Sequence, residues 1–159
     1  MLKLLKINNF LLFKNQEILF DGNFSAITGE TGSGKSMLIK ALHFVLGNRY
    51  ETRSELSVIA EFKINHKNKA LKELLEELDI EIEDDSLILR RTQNETSRGK
   101  NFINDVPVTM KLLKRVTNEL IEFHSQQKQL EAFNQTNCLN IIDQFIEEKT
   151  LLEEVSFYF

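Results

Sequence analysis

Gly29, Gly34, Lys35 and Ser36 stand at the spacing that holds a nucleoside triphosphate. The octet Gly29-Glu30-Thr31-Gly32-Ser33-Gly34-Lys35-Ser36 matches G-x-x-x-x-G-K-S/T at every fixed position. Gly29 and Gly34 permit backbone angles and a close approach that a Cβ would block. Amides from about Gly32 to Ser36 turn inward as a concave nest for phosphate oxygens, and a helix starting near Lys35 adds its positive end to that field. Lys35 neutralises charge on the β- and γ-phosphates, and the Ser36 hydroxyl is placed to ligate Mg²⁺. At ordinary residue usage a random chain of this length shows the pattern with a frequency on the order of 0.5%. ATP and Mg²⁺ are therefore the expected ligands.

Hydrolysis asks for more than a phosphate nest. A glutamine on the Mg²⁺ side is available in "FHSQQKQ", where Gln126, Gln127 and Gln129 are equally placed by spacing. A general base at the end of an apolar strand is not found. "EILFDG" ends at Asp21, upstream of the loop, and "LNIIDQ" reads as helix with Gln144 following Asp143. Gly22, Gly47 and Gly99 stand alone, so no glycine-rich signature segment is present, and no catalytic residue is assigned. Arg90, Arg91, Arg98 and Lys100 gather around a strand-turn-strand beside Phe102; they suit either a phosphate backbone or a solvated sheet edge. Lys111, Lys114 and Arg115 read as a solvated helix face, and no cluster of Asp, His and Cys has zinc-ligand spacing.

Positioning these residues takes strands before the loop and a helix after it. Leu2, Leu4, Leu5 and Ile7 predict a strand with a bulge; residues 15–21 predict a second, closed by a turn at Asp21-Gly22. The apolar run "FSAIT" (24–28) leads into the loop as the strand before it. From Lys35 the period becomes helical, with Leu38, Ala41, Leu42 and Val45 on one face and Gly47-Asn48 as the stop. Residues 55–64 alternate cleanly, 69–78 carry a leucine stripe, and 86–92 and 101–104 predict strands with a turn at Asn104-Asp105. Thr109 caps a helix expected to reach about Phe123, and a last helical pattern starts near Asn137. This order predicts an α/β domain with an antiparallel β portion.

The bulk composition sets wide bounds. The chain has 159 residues, 42% hydrophobic and 28% charged, an ordinary globular balance. A net charge of −4 argues against a uniformly basic nucleic-acid binder, and the acidity is densest in "KELLEELDIEIEDD". One cysteine, Cys138, forms no internal disulfide, and no window is apolar enough for a membrane helix or a signal peptide. A soluble, cytoplasmic chain that avoids membranes is the expectation.

The late position of the loop, behind two strand-like segments, is similar to ABC-type ATPase heads rather than to small-molecule kinases. Closer still, the sequence resembles the N-terminal part of the RecN family, SMC-like bacterial ATPases of DNA double-strand-break repair. The resemblance is carried by "LKINNF" (5–10), "ITGETGSGKS" (27–36), "LGNR" (46–49), "RGKNFINDVPV" (98–108) and "LIEFHSQQKQ" (120–129). It implies a P-loop NTPase fold, the N-terminal lobe of an ABC/SMC-type head, with Gln126 as the Mg²⁺-side glutamine. Ser125 replaces the family's usual glycine there, and the segment from Tyr50 to Ser57 is shorter than its counterpart. The resemblance also implies residues 1–136 as the head lobe and 137–159 as the start of a coiled coil. Its C-terminal half would supply the missing base and signature, in cis or in trans; heads would pair around ATP, with DNA as a possible partner. Rival readings are a non-catalytic nucleotide-binding remnant and, more weakly, a small-molecule P-loop kinase.

Overall fold

Period-two alternation is the dominant pattern in the chain, and it becomes a sheet. The computed structural model describes residues 1–50, 54–64, 68–96 and 99–121, within a unit spanning Met1–Ile121. Its strands are β1 (Leu2–Phe10), β2 (Phe13–Leu19), β3 (Leu56–Lys63), β4 (Ser86–Gln93), β5 (Gly99–Ile103) and β6 (Val106–Val108). They lie side by side in the order β2-β1-β3-β4-β5-β6, every neighbouring pair antiparallel. In β3 the alternation is strict: Leu56, Val58, Ala60 and Phe62 are buried while the residues between them are not. Register carries one face across the sheet, through Leu5, Ala60, Leu89 and Ile103, and then through Ile7, Val58, Arg91, Asn101 and Val108. A shift in the β1–β3 pairing between Leu2 and Leu4 is the bulge foreseen in the opening strand.

Three helices accompany the sheet among the described residues: α1 (Lys35–Val45), α2 (Lys69–Glu77) and α3 (Met110–Leu120). α1 packs on β1, β3 and β4, and α3 packs on β5 and α2. Each helix ends for a local reason. Thr109 caps α3 by accepting from the Leu112 N–H, and Asn68 caps α2 by accepting from the Leu71 N–H. Beyond α1, Gly47 takes φ 101°; its N–H donates to Phe44 O and that of Asn48 to His43 O, a Schellman closure. Asn104 and Asp105, at φ 44° and 62°, make the predicted turn, which is a hairpin into β6.

Several expectations need correction. β6 was not expected, because three residues around Pro107 carry too little pattern; as an edge strand it tolerates the missing N–H. α3 ends at Leu120, short of Phe123, where Ile121 turns to extended angles. On α1, Phe44 is buried and Leu42 only half-buried, so the inward face is rotated slightly. The largest departure is at residues 24–28, which form no strand. An apolar run becomes a strand only where another strand takes its backbone groups, and all six described strands pair among themselves. The expected boundary at 136/137, the helix from 137, and Cys138 lie outside the described residues.

Candidate phosphate-binding site

The loop is built by glycines in conformations other residues avoid. Gly29, Gly32 and Gly34 have φ of 151°, 88° and 95°. A Cβ on Gly29 would lie 2.8 Å from Ser33 Oγ, so that hydroxyl, which accepts from Lys35 Nζ, would have to turn away. Gly34 is also the N-cap of α1, and no side chain caps it. The Met37 and Leu38 N–H groups both return to Gly34 O at 3.0 Å. No acidic residue stands in the first turn of α1, so the positive end of the helix is not neutralised locally.

Lys35 gathers the loop around its ammonium. Nζ donates to Gly29 O at 2.6 Å, Glu30 O at 2.5 Å and Ser33 Oγ at 3.2 Å. The cation is thereby held at the centre of the glycine turn, at the mouth of the helix dipole. Ser36 follows on α1 with an exposed side chain. A cradle that a Cβ would fill, an uncapped helix N-terminus and a central ammonium together fit the phosphates of a nucleotide. Gly29 through Ser36 are brought together as the sequence predicts. Gln126 and His124 lie outside the described residues, as does Arg98.

The basic cluster around β4 divides instead of converging. Successive strand residues face opposite ways, so Arg90 and Arg91 lie on different faces of the sheet. Arg90 pairs with Asp105 at 2.9 Å, and its guanidinium carbon lies 3.9 Å from the ring centroid of Phe102 on the neighbouring strand. Arg91 is buried: its Nη1 donates to Phe44 O at 2.6 Å and Asn48 O at 2.7 Å, and its guanidinium lies 4.2 Å from the Phe44 ring centre. Burial pushes its pKa down to about 10, which leaves it charged at neutral pH. A shared phosphate contact by these two arginines is thus overturned. The missed signal was phase: Leu87, Leu89, Arg91 and Gln93 occupy the inward positions of one alternation. Lys111, Lys114 and Arg115 are exposed as expected, with Arg115 reaching Glu77 of α2 at 3.4 Å.

A concavity lined by Ile64, Asn68, Leu71, Lys72, Ile82, Asp84 and Asp85 includes none of the loop residues and carries none of this chemistry. Among the described residues no helix is long and apolar enough to cross a membrane, and no group of metal-ligating side chains is found.

Residues 4–158 match the AAA domain family. The chain is 34% identical over 162 residues to the DNA repair protein RecN of Haemophilus influenzae, covering 96% of this chain and 28% of that protein. To the RecN of Treponema pallidum it is 31% identical over 151 residues, covering 91% of this chain and 26% of that one. It spans about a quarter of the length of these relatives. A solved chain from work on ATP-driven dimerisation and DNA-stimulated activation of SMC ATPases superposes with a TM-score of 0.60. That match covers 91% of this chain and 99% of the other at 17% identity, which establishes a shared fold. The fold is that of a P-loop NTPase, in the form of the N-terminal lobe of an SMC-type head.

Proposed function

We propose, from the premise that this chain belongs to the AAA domain family, that it binds Mg-ATP as the N-terminal lobe of a RecN-like ATPase head. The observation that carries the reading is the glycine loop, with Lys35 Nζ drawn to Gly29 O and Glu30 O at the uncapped start of α1. Amides of residues 32–36 would hold the β- and γ-phosphates, Lys35 would neutralise them, and the Ser36 hydroxyl would ligate Mg²⁺. Gln126 is assigned to the Mg²⁺ side from its place in "FHSQQKQ". The bound nucleotide supplies a high-energy phosphoanhydride; the residues of this chain bind and orient it, and none is assigned as a general base.

Hydrolysis, in this reading, requires a C-terminal half in cis or in trans. Residues 24–28 support that requirement. They enter the loop directly, belong to no strand, and leave Phe24 86% and Ile27 45% exposed. An exposed apolar segment beside the loop, outside any strand, is suited to pairing with strands from elsewhere. Pairing of heads around ATP and action on DNA breaks are proposed on the similarity to RecN proteins.

Equilibrium titration of the full chain with Mg-ATP tests the reading. Lys35→Ala should weaken binding by at least about tenfold, since it removes both the cation and the bridge across the loop. Gln126→Ala should bind nucleotide but lose part of the Mg²⁺ dependence. Equal affinity of wild type and Lys35→Ala would overturn the assignment.

A further inference from the structure

The phosphate loop is carried at one end of α1, and α1 is fastened at the other. Its first turn contributes no fully buried side chain: Lys35 and Met37 are half-buried and Ser36 is exposed. The buried residues are Leu38, Ala41, Phe44 and Val45, so three of the four lie toward the C-terminal end. Polar ties are at that end too. Arg91 Nη1 reaches Phe44 O and Asn48 O, and Thr117 Oγ1 of α3 reaches Leu46 O at 3.1 Å.

Arg91 is an expensive residue to place there. In its row across the sheet the neighbours Ile7 and Val58 are fully buried and apolar. Asn101, its partner on β5, is buried as well, and both Arg91 Nε and Asn101 Oδ1 lack a hydrogen-bond partner among the described residues. A buried cation with an unsatisfied donor is poor value as a source of stability alone, because apolar side chains of similar volume often do as well or better. What the guanidinium does achieve is directional: Nη1 alone makes two short bonds, to Phe44 O in the last turn of α1 and to Asn48 O just beyond it, with the guanidinium against the Phe44 ring. The cation also meets the negative end of the α1 dipole.

We propose that Arg91 is a positioning residue for the phosphate loop, fixing the tilt of α1 by holding its C-terminal turn to the sheet. An 11-residue helix is about 16 Å long, so a tilt of about 5° at the anchored end moves the loop by about 1.4 Å. Displacements of that size are enough to spoil a preorganised site by orders of magnitude. The importance of loop position rests on the Mg-ATP reading above; the mechanical link between Arg91 and the loop does not.

The test uses the full chain labelled with ¹⁵N-glycine, compared by amide NMR without nucleotide and then titrated with Mg-ATP. Arg91→Met and Arg91→Lys are set against Leu75→Ala, a cavity in the α2 core matched for its loss of melting temperature. Arg91→Met should shift the amide resonances of Gly29, Gly32 and Gly34 and weaken Mg-ATP binding by about tenfold. Arg91→Lys, which keeps a cation for the two carbonyls but loses the planar group against Phe44, should give smaller shifts and partial recovery. Leu75→Ala should leave the three resonances and the affinity in place. Unmoved loop resonances in both Arg91 variants would overturn the proposal, as would equal movement in Leu75→Ala. If Arg91→Met does not fold, Arg91→Lys decides by the same resonances. Failure of the wild type to bind Mg-ATP would refute the nucleotide reading while the resonance shifts still judge Arg91.

Discussion

Gly29 and Gly32 lie in the same loop with different constraints, and that difference is measurable. A Cβ on Gly29 meets Ser33 Oγ at 2.8 Å, whereas one on Gly32 meets nothing within 4 Å and is opposed only by φ 88°. Gly29→Ala should therefore weaken Mg-ATP binding more than Gly32→Ala, by about tenfold against a few-fold, with the strain at Gly32 worth roughly 1 kcal/mol. Both should melt near the wild-type temperature, since the loop is exposed and contributes little to the core; calorimetry beside the titration separates the two effects. The glycine turn around Lys35 was legible in the sequence, because its glycines and lysine stand at set intervals. Arg91 was not read correctly, because charge invites a surface assignment and only the phase of β4 betrays its burial. The Asn68 cap was missed for a similar reason: a lone asparagine between polar neighbours has no distinguishing pattern until its Oδ1 is seen to accept from Leu71 N–H at 3.1 Å.

At the level of elements, the ends of α1 have opposite chemistry. The start is uncapped and faces the loop, while the finish is closed by Gly47, Asn48, Arg91 and Thr117. Gly47→Ala forces φ 101° on an L-residue and brings a Cβ within 3.0 Å of Lys114 Cγ. The lysine is flexible and can yield, so the loss should be dominated by backbone strain at about 1–2 kcal/mol, readable as a lower urea midpoint with unchanged slope. Elements with strong periodicity, such as β3 and the leucine stripe of α2, were legible because one buried face repeats over eight or nine residues. β6 and the C-terminal end of α3 were not, since three residues and a single helical turn hold too few repeats to declare a period. Residues 24–28 mislead in the other direction. Their compact apolar run suggests a strand, but strandedness is a property of a pair, and the sequence of one segment does not contain its partner.

For the whole molecule, the sheet and the run at 24–28 should separate cleanly by hydrogen exchange. Amides of β1, β3 and β4, bonded within the sheet, should exchange slowest, and those of residues 24–28 should exchange orders of magnitude faster. Mass spectrometry of the wild-type chain reads this directly, and addition of a C-terminal RecN half should slow exchange at 24–28 if that half supplies a strand. Fold class was legible at this scale from the order of strand and helix patterns around the loop; the completeness of the antiparallel sheet was not, because pairing order is written in register rather than composition. That pairing order has a consequence for biosynthesis. In β2-β1-β3-β4-β5-β6, four of the five neighbouring pairs are consecutive strands, and the exception, β1 with β3, spans one hairpin and α1. Such local connectivity favours rapid folding, so this unit can assemble on the ribosome as soon as residue 121 has cleared the tunnel. During the interval before any partner strand arrives, Phe24 and Ile27 stand in water as an adhesive site. Chaperone occupancy of the nascent chain should be concentrated there, and a polar Phe24 should raise the yield of this unit while harming any head that needs it.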